Sequence, residues 1–225
     1  MQTDTCIERH RPGWQAAWRA LAPRMPAPAL LAQLAARYAE PHRHYHALQH
    51  LDACLRHLDT MRTLAQRPDE VALALWFHDA IYDIGAADNE ARSADWARAE
   101  LLALGAADEV AQRVHALVMV TRHDQPPRTP DQELLLDVDL AILGAPPALF
   151  DAYEQQVRLE YQAVPPAAFR SNRRRILQGF VDRPRIYHTA AFHDTREAQA
   201  RANLQRSIQA LGLLGQEPPG RSQGE

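Results

Sequence analysis

Histidine and aspartate are concentrated in three segments of this chain, and both residue types can bind a divalent metal ion. The first segment carries five histidines within sixteen positions: His42, His44, His46, His50 and His57. The adjacent pair His78-Asp79 lies in the apolar run "VALALWFHDAIYD", and Asp137 and Asp139 interrupt a third run, "LLLDVDLAILG". An ionised carboxylate in an apolar run is costly unless it is paired or binds a metal. Imidazole and carboxylate donors suit hard or borderline divalent ions.

The spacing of these residues can bring the donors together. His46 and His50 are four positions apart, which predicts that they are stacked on one face of a helix. Side chains of adjacent helical residues point about 100° apart, so His78 and Asp79 can converge on one ion just beyond the helix surface. The pattern predicts a metal site built from several helices.

Composition excludes several other kinds of chemistry. All 25 basic residues are arginine, so neither a phosphate-binding P-loop lysine nor a lysine Schiff base is available. Serine is scarce and none stands in a GxSxG motif, and there is no GxGxxG for a dinucleotide. Histidine and acidic residues remain as the abundant chemical groups.

The elements that position these residues are predicted to be helices throughout. Alanine, leucine, arginine, glutamine and glutamate dominate, and leucines such as Leu48, Leu51, Leu55 and Leu58 recur at steps of three and four. We expect an all-α protein, a helical bundle of about ten helices in a single domain over 13–213. An N-terminal arm (1–12) would precede it, and a disordered Pro/Gly-rich tail (214–225) would follow. The predicted helices cover 13–22, 28–38, 46–66, 69–81, 89–104, 107–121, 131–143, 147–162, 166–181 and 195–213.

Charge and hydropathy narrow the expected partners and location. The net charge is −3 and the pI about 6.4, which predicts no binding to nucleic acid or to a membrane surface. No apolar run approaches a transmembrane span, and two cysteines without CxxC spacing fit a reducing compartment. We therefore expect a cytoplasmic protein, either a monomer or a homodimer.

These motifs resemble the HD superfamily of metal-dependent phosphohydrolases, whose signature is a histidine, a later His-Asp pair and a distant aspartate. The resemblance implies an HD-domain helical fold with His50, His78, Asp79 and Asp139 as metal ligands. Asp139 is preferred over Asp137 because superfamily members commonly place the ligand at the second aspartate of a DxD helix.

A closer resemblance covers roughly residues 10–211. The segments "RHYHALQHL", "WFHDAIYD", "DNEARSA", "LLLDVDLAILG", "YEQQVRLEY" and "RILQGFVDRPRIY" look like those of small bacterial proteins described as predicted metal-dependent HD-type phosphohydrolases. The similarity implies an enzyme that cleaves a phosphomonoester or phosphodiester of a small molecule, such as a nucleotide, by attack of metal-bound hydroxide. The cofactor would be Mn, Fe, Co, Ni, Zn or Mg, with one or two ions per chain.

Relatives also suggest roles for residues around the ligands. "YHALQH" resembles the YHNxxH motif of cyclic-nucleotide phosphodiesterases, which makes His46 the candidate general acid, although Ala47 replaces the asparagine. Some two-metal relatives place further histidines in the interval that holds His115 and His123, so these two are candidates for a second ion bridged by Asp79. Glu90 would orient a bound water or a ligand histidine and counts among the catalytic candidates, and Asp83 could do the same.

Three arginines are candidates for holding the phosphate of the substrate: Arg122, Arg158 and Arg173. A guanidinium group binds two phosphate oxygens at once.

Two other functions fit the same fold. A di-iron oxygenase would need the extra ligands His115 and His123, and a non-catalytic module would bind a nucleotide or metal without turnover. The second "FHD", at 192–194, lies in a polar segment where Asp194 or Thr195 is predicted to cap a helix, and it is not expected to bind metal. Cys54 is predicted to be a small buried apolar residue.

Overall fold

The computed structural model describes residues 2–213, with side chains from residue 5 onward, and this part of the chain is all-α. Ten α-helices follow one another, with short 3₁₀ turns after the third, sixth and seventh and no strand among the described residues. They are α1 (Gln2–Leu21), α2 (Pro28–Tyr38), α3 (Leu48–Met61), α4 (Pro68–Phe77), α5 (Asn89–Ala103), α6 (Asp108–Met119), α7 (Pro130–Asp139), α8 (Pro147–Glu160), α9 (Pro166–Val181) and α10 (Ala190–Leu213). The predicted fold class and number of helices are confirmed.

Proline begins five of these helices. Pro28, Pro68, Pro130, Pro147 and Pro166 each occupy the first position of a helix, where the missing N–H would have no partner within the helix. In α7, the Thr129 hydroxyl also accepts a hydrogen bond from the Gln132 N–H. Proline therefore sets helix starts here, in addition to separating helices.

The chain divides into two compact units, Met1–Ala141 and Ile142–Glu225. All the histidines and aspartates of the expected metal site belong to the first unit. The predicted single domain over 13–213 stays a prediction, and the predicted disordered tail (214–225) lies outside the described residues.

The first unit is built around α4. Every residue of α4 from Glu70 to Phe77 is buried, which explains why this helix has no polar face. α1, α3, α5 and α6 pack against it. The rings of Trp14 on α1 and Trp76 on α4 are 5.1 Å apart between centroids, in an edge-to-face arrangement. The tight packing around α4 fixes the position of the His-Asp pair that follows it.

The second unit contains a close approach that requires glycine. The Gly144 N–H donates to the Tyr187 hydroxyl at 2.9 Å, and a Cβ on Gly144 would lie 2.7 Å from the Arg196 Cβ. The Asn203 side chain, fully buried, donates to the carbonyls of Leu143 and Ala145. These contacts tie the segment before α8 to α10.

Several predicted helix limits are wrong. α3 ends at Met61 and α4 at Phe77, before the predicted ends at 66 and 81. α1 begins at Gln2, so the predicted arm is helical and includes Pro12. α10 begins at Ala190 because the Thr189 hydroxyl accepts from the Phe192 N–H, at 3.5 Å, and Asp194 therefore lies inside the helix. α3 begins at Leu48, so His46 precedes it.

No helix of the described residues is long and apolar enough to cross a bilayer.

Candidate metal centre

The end of α4 places His78 and Asp79. In a continuing helix the Asp79 N–H would bind the Leu75 carbonyl, but here it donates to the Tyr38 hydroxyl at 3.3 Å. The Leu75 carbonyl instead accepts from His78 Nδ1, at 2.8 Å. The helix therefore ends at Phe77 with these groups satisfied, and His78 Nε2 is left as the nitrogen that faces the neighbouring helices.

His50 and Asp139 come to the same place from two other helices. His50 lies in the first turn of α3, and Asp139 is the last residue of α7. Both His50 and His78 are buried, while the Asp79 and Asp139 side chains retain 17% and 12% exposure. We call these four residues the histidine–aspartate centre.

Five of the six distances between the donor atoms of the centre match those between ligands of one ion. The Nε2 atoms of His50 and His78 are 3.1 Å apart. Asp79 Oδ2 lies 3.5 and 3.2 Å from these two nitrogens, and Asp139 Oδ1 lies 3.2 and 3.6 Å from them. Ligands at about 2.1 Å from one ion lie about 3.0 Å apart at right angles and about 3.4 Å apart in a tetrahedron.

One further observation favours a metal at this point. Asp79 Oδ2 is buried and accepts no well-aligned hydrogen bond, although it lies within ion-pair distance of His50 and His78. A divalent ion would satisfy this oxygen, so the donor set fits such an ion.

The electrostatics of the centre show how strongly its groups interact. Burial alone would raise the pKa of the Asp79 carboxyl, but the charge of His78, followed by those of His46 and His50, holds that pKa far below its usual range. The pKa of Asp139 is likewise low, because hydrogen bonds from His123, His50 and His78 outweigh its burial. Burial would lower the pKa of His78, but the Asp79 and Asp139 carboxylates raise it well above normal. The centre therefore holds a proton on His78 when no ion competes for it.

His46 does not share a helical face with His50, contrary to the prediction. Ala47 is extended, with φ −118° and ψ −176°, so the chain enters α3 only at Leu48 and His46 lies in the preceding turn. Its ring stacks on Tyr82 at 4.3 Å between centroids and lies 6.0 Å from the ring of His50. His46 is half-buried and borders the centre from this turn.

Sequence reasoning missed Arg43, whose fully buried guanidinium joins the His46 turn to the chain after α4. It donates to the Asp79 carbonyl at 2.5 Å, the Ala80 carbonyl at 3.2 Å and the His46 carbonyl at 3.2 Å, and it pairs with Glu40 at 3.0 Å. Nothing in the segment "HRHYH" distinguishes this arginine from a surface residue.

Cys54 is buried, as predicted, but it also borders the centre. Its Sγ lies 3.7 Å from both ring nitrogens of His50 and 4.0 Å from the Val138 carbonyl. Cys54 forms a group of potential ligands with His50, His78 and Asp139. Cys54 follows His50 by one helical turn, and this spacing is the feature of the sequence that could have predicted the contact.

The two histidines suggested for a second ion have different surroundings. His123 Nε2 lies 3.1 Å from Asp139 Oδ2, whereas His115 Nε2 lies 3.3 Å from Asp95 Oδ1 on α5. The groups of potential ligands found among residues 2–213 include neither histidine. The structure thus brings His123, but not His115, to an oxygen of the centre.

The remaining candidates lie outside these contacts. Glu90 is half-buried in the first turn of α5, and the Asp83 carboxylate pairs with Arg92 at 2.6 Å. Arg122, in the 3₁₀ turn after α6, is exposed and lies 3.3 Å from Asp124.

Arg158 and Arg173 belong to the second unit and bind protein groups there. Arg158 donates to the carbonyls of Tyr161 and Val164, at 2.6 and 3.2 Å. Arg173 is buried, donates to the Tyr153 hydroxyl at 2.7 Å and pairs with Glu154. These contacts stabilise α8 and α9, and the predicted binding of substrate by both arginines stays a prediction.

A second group of potential ligands, Cys6, His10 and Asp52, joins α1 to α3; we call it the Asp52 cluster. Its carboxylate is paired with Arg9 at 2.6 Å, with His10 at 2.8 Å and with Arg56 at 3.0 Å. Burial, together with the charge of Asp52, raises the pKa of the Cys6 thiol to about 11. The cluster is an ion-pair network with a protonated thiol.

Comparisons with protein-family models, with curated proteins and with solved structures find no match for this chain. Any assignment to a family therefore depends on the motifs and on the geometry described above.

Proposed function

We propose that this protein is a metal-dependent phosphohydrolase of the HD type, which cleaves a phosphomonoester or phosphodiester of a small molecule, with nucleotides as the leading class. The observation that supports this most strongly is the convergence of four donor atoms from α3, α7 and the end of α4. They lie 3.1 to 3.6 Å apart along the five measured pairs. One of them, Asp79 Oδ2, is a buried oxygen that accepts no well-aligned hydrogen bond.

The ion would be held by His50, His78, Asp79 and Asp139, and Mn, Fe, Co, Ni, Zn and Mg are all compatible with this donor set. Bound there, it would lower the pKa of a water molecule towards neutrality and polarise a phosphoryl oxygen. One ion per chain is the proposed stoichiometry.

The protein's own contribution begins with orientation. The Leu75 carbonyl holds His78 Nδ1 in its protonated form, so that Nε2 presents its lone pair once the proton on that nitrogen has left. The Tyr38 hydroxyl and Arg43 bind the Asp79 backbone from two sides. These contacts fix the donors before a ligand arrives, which lowers the cost of ordering the site.

His46 is the proposed proton donor to the leaving oxygen. It borders the centre, it is half-buried, and its stack on Tyr82 restricts the orientation of its imidazole. A histidine in this position can protonate an alkoxide as the phosphorus–oxygen bond breaks, which prevents the build-up of negative charge on the leaving group.

Cys54 does not serve as a nucleophile in this proposal. Its burial, with the charges of Asp139 and Asp79, raises the pKa of the thiol well above its usual value, so the thiol is protonated at neutral pH. Attack by water agrees with these surroundings.

The test is hydrolysis of a panel of nucleoside monophosphates, cyclic nucleotides and simple phosphomonoesters by metal-loaded protein. The chain offers a matched control, because "FHD" occurs twice. We expect Asp79→Ala to abolish hydrolysis, measured as phosphate released from monoesters and as the ring-opened monoester formed from cyclic nucleotides. Asp194→Ala, at an exposed position of α10, should retain it. Equal activity in wild type and Asp79→Ala, or metal-loaded wild type that hydrolyses no ester of the panel, would overturn the proposal.

A further inference from the structure

The backbone at His123 is in a conformation that side chains other than glycine rarely adopt. With φ 58° and ψ 18° it is left-handed, and it is the one non-glycine residue with positive φ among the described residues. The conformation costs free energy for any residue with a Cβ, and such residues concentrate at functional sites.

This backbone directs the His123 ring to the carboxylate of Asp139. Asp139 Oδ1 faces His50 and His78, while Asp139 Oδ2 lies 3.1 Å from His123 Nε2. The two oxygens of one carboxylate are therefore divided between the centre and His123.

We infer that His123 is a positioning residue, which holds Asp139 Oδ2 so that Asp139 offers only Oδ1 to the ion. The inference depends on the proposed metal centre and goes beyond it, because it assigns His123 to the carboxylate and not to a second ion. With Oδ2 held, Asp139 binds through one oxygen and leaves coordination positions for water and substrate.

The left-handed backbone is the means by which this contact is made. His123 ends the 3₁₀ turn Val120–Arg122, and its N–H binds the Val120 carbonyl at 3.1 Å. Glycine is the usual residue at such a helix end. A histidine at this position makes the folded protein less stable than a glycine would. Its contact with Asp139 provides a reason why histidine stands there.

The experiment uses three substitutions, with Co²⁺ and Zn²⁺ as the probes and calorimetry to measure stoichiometry and Kd. His123→Gln keeps a side-chain N–H donor, His123→Ala removes it, and His123→Gly removes it while relaxing the backbone. His115→Ala is the matched control, because it removes an imidazole that pairs with Asp95.

We expect one ion per chain in every variant. Kd should rise by about 10- to 100-fold in both His123→Ala and His123→Gly, and His123→Gln should be closer to wild type. Metal-free His123→Gly should melt about 2–4 °C above His123→Ala, because only the glycine relieves the backbone. His115→Ala should bind as the wild type does.

Three results would contradict the inference in different ways. Wild-type affinity in His123→Gly would mean that His123 only ends the turn, and the proposed centre would be unaffected. Two ions in the wild type and one in His123→Ala would make His123 a ligand of a second ion. No ion bound by the wild type would overturn the metal centre itself.

Discussion

The histidine–aspartate centre and the Asp52 cluster contain similar residue types but differ in the charges around their carboxylates. Asp52 is surrounded by two guanidinium groups and an imidazole. Asp79 and Asp139 are paired with imidazoles, and no arginine pairs with either carboxylate among residues 2–213. The exposure of the carboxylate side chain alone does not separate the two sites, since Asp52 is 20% exposed and Asp79 is 17% exposed.

The difference shows what distinguishes a metal site from an ion-pair network. Two carboxylates that share only imidazoles carry negative charge that a divalent ion can neutralise. A carboxylate already paired with two arginines gains little from an ion and would have to lose those contacts. The donor types alone do not identify the site.

Metal binding should change most when one imidazole is removed in each place. His78→Asn keeps a donor for the Leu75 carbonyl but removes Nε2, and His10→Gln keeps a donor for Asp52. An ion at 100 times its Kd stabilises a protein by about 2.7 kcal/mol, which is roughly 5–10 °C at this size. Thermal unfolding with and without Zn²⁺ should show this shift in wild type and His10→Gln, and none in His78→Asn. A shift that persists in His78→Asn would show that the ion binds without His78, contrary to the proposed centre.

The next prediction compares the buried guanidinium of Arg43 with the exposed guanidinium of Arg24. Arg43→Gln leaves the Asp79 and Ala80 carbonyls and Glu40 without their partner, so unfolding should become easier by about 3 kcal/mol. Arg24 also binds two carbonyls, those of Ala103 and Leu104, but is exposed.

Denaturant unfolding should therefore show less than about 1 kcal/mol for Arg24→Gln. Of these two variants, Arg43→Gln should lower the Zn²⁺ affinity and Arg24→Gln should not. Arg43 binds the backbone carbonyl of the metal ligand Asp79, whereas Arg24 binds carbonyls at the end of α5. Equal losses of stability in the two variants would show that the buried contacts of Arg43 contribute no more than the exposed contacts of Arg24.

The pH dependence of metal binding follows from His78. Its pKa is raised by Asp79 and Asp139 in the metal-free protein, so the imidazole is protonated at neutral pH, and the ion must displace that proton. Affinity should therefore rise with pH, by about tenfold per unit below the raised pKa, and about one proton should leave per ion bound. Titration with Zn²⁺ in buffers of different ionisation enthalpy measures the proton release. Binding that is independent of pH between 5 and 8 would contradict this assignment.

The smallest effect concerns the Asp52 cluster. Burial and Asp52 together raise the pKa of Cys6 to about 11, so Asp52→Asn should lower that pKa while burial keeps it above the usual thiol value. The rate of Cys6 alkylation against pH measures the shift, with buried Cys54 protected. An unchanged profile would show that Asp52 does not act on the thiol.

Helix periodicity predicted most of the fold, because apolar spacing and proline positions are local properties of the sequence. The predicted starts of two helices were wrong because each start depends on a local detail that periodicity does not show. The leucine pattern extended α3 back to His46, but Ala47 is extended and offers no side-chain cap. For α10, Thr189 was a capping residue as suitable as Asp194 or Thr195, and only the structure shows which one is used.

The site was predictable to the extent that its residues interrupt apolar runs. His78-Asp79 and Asp139 are polar groups in segments that are otherwise buried, and this conflict indicates a site. Arg43 and the left-handed backbone of His123 leave no such signal, because a buried guanidinium and a positive φ depend on contacts between distant segments. The charge around Asp52 likewise depends on α1 meeting α3.

The most direct test of the account is the metal content of three proteins purified in parallel: wild type, Asp79→Ala and Asp52→Ala. Plasma mass spectrometry after saturation with Zn²⁺ and desalting should find about one ion per chain in wild type and in Asp52→Ala, and none in Asp79→Ala. An ion that is retained in Asp79→Ala and lost in Asp52→Ala would place the site at the other cluster. No ion in the wild type would contradict the metal centre altogether.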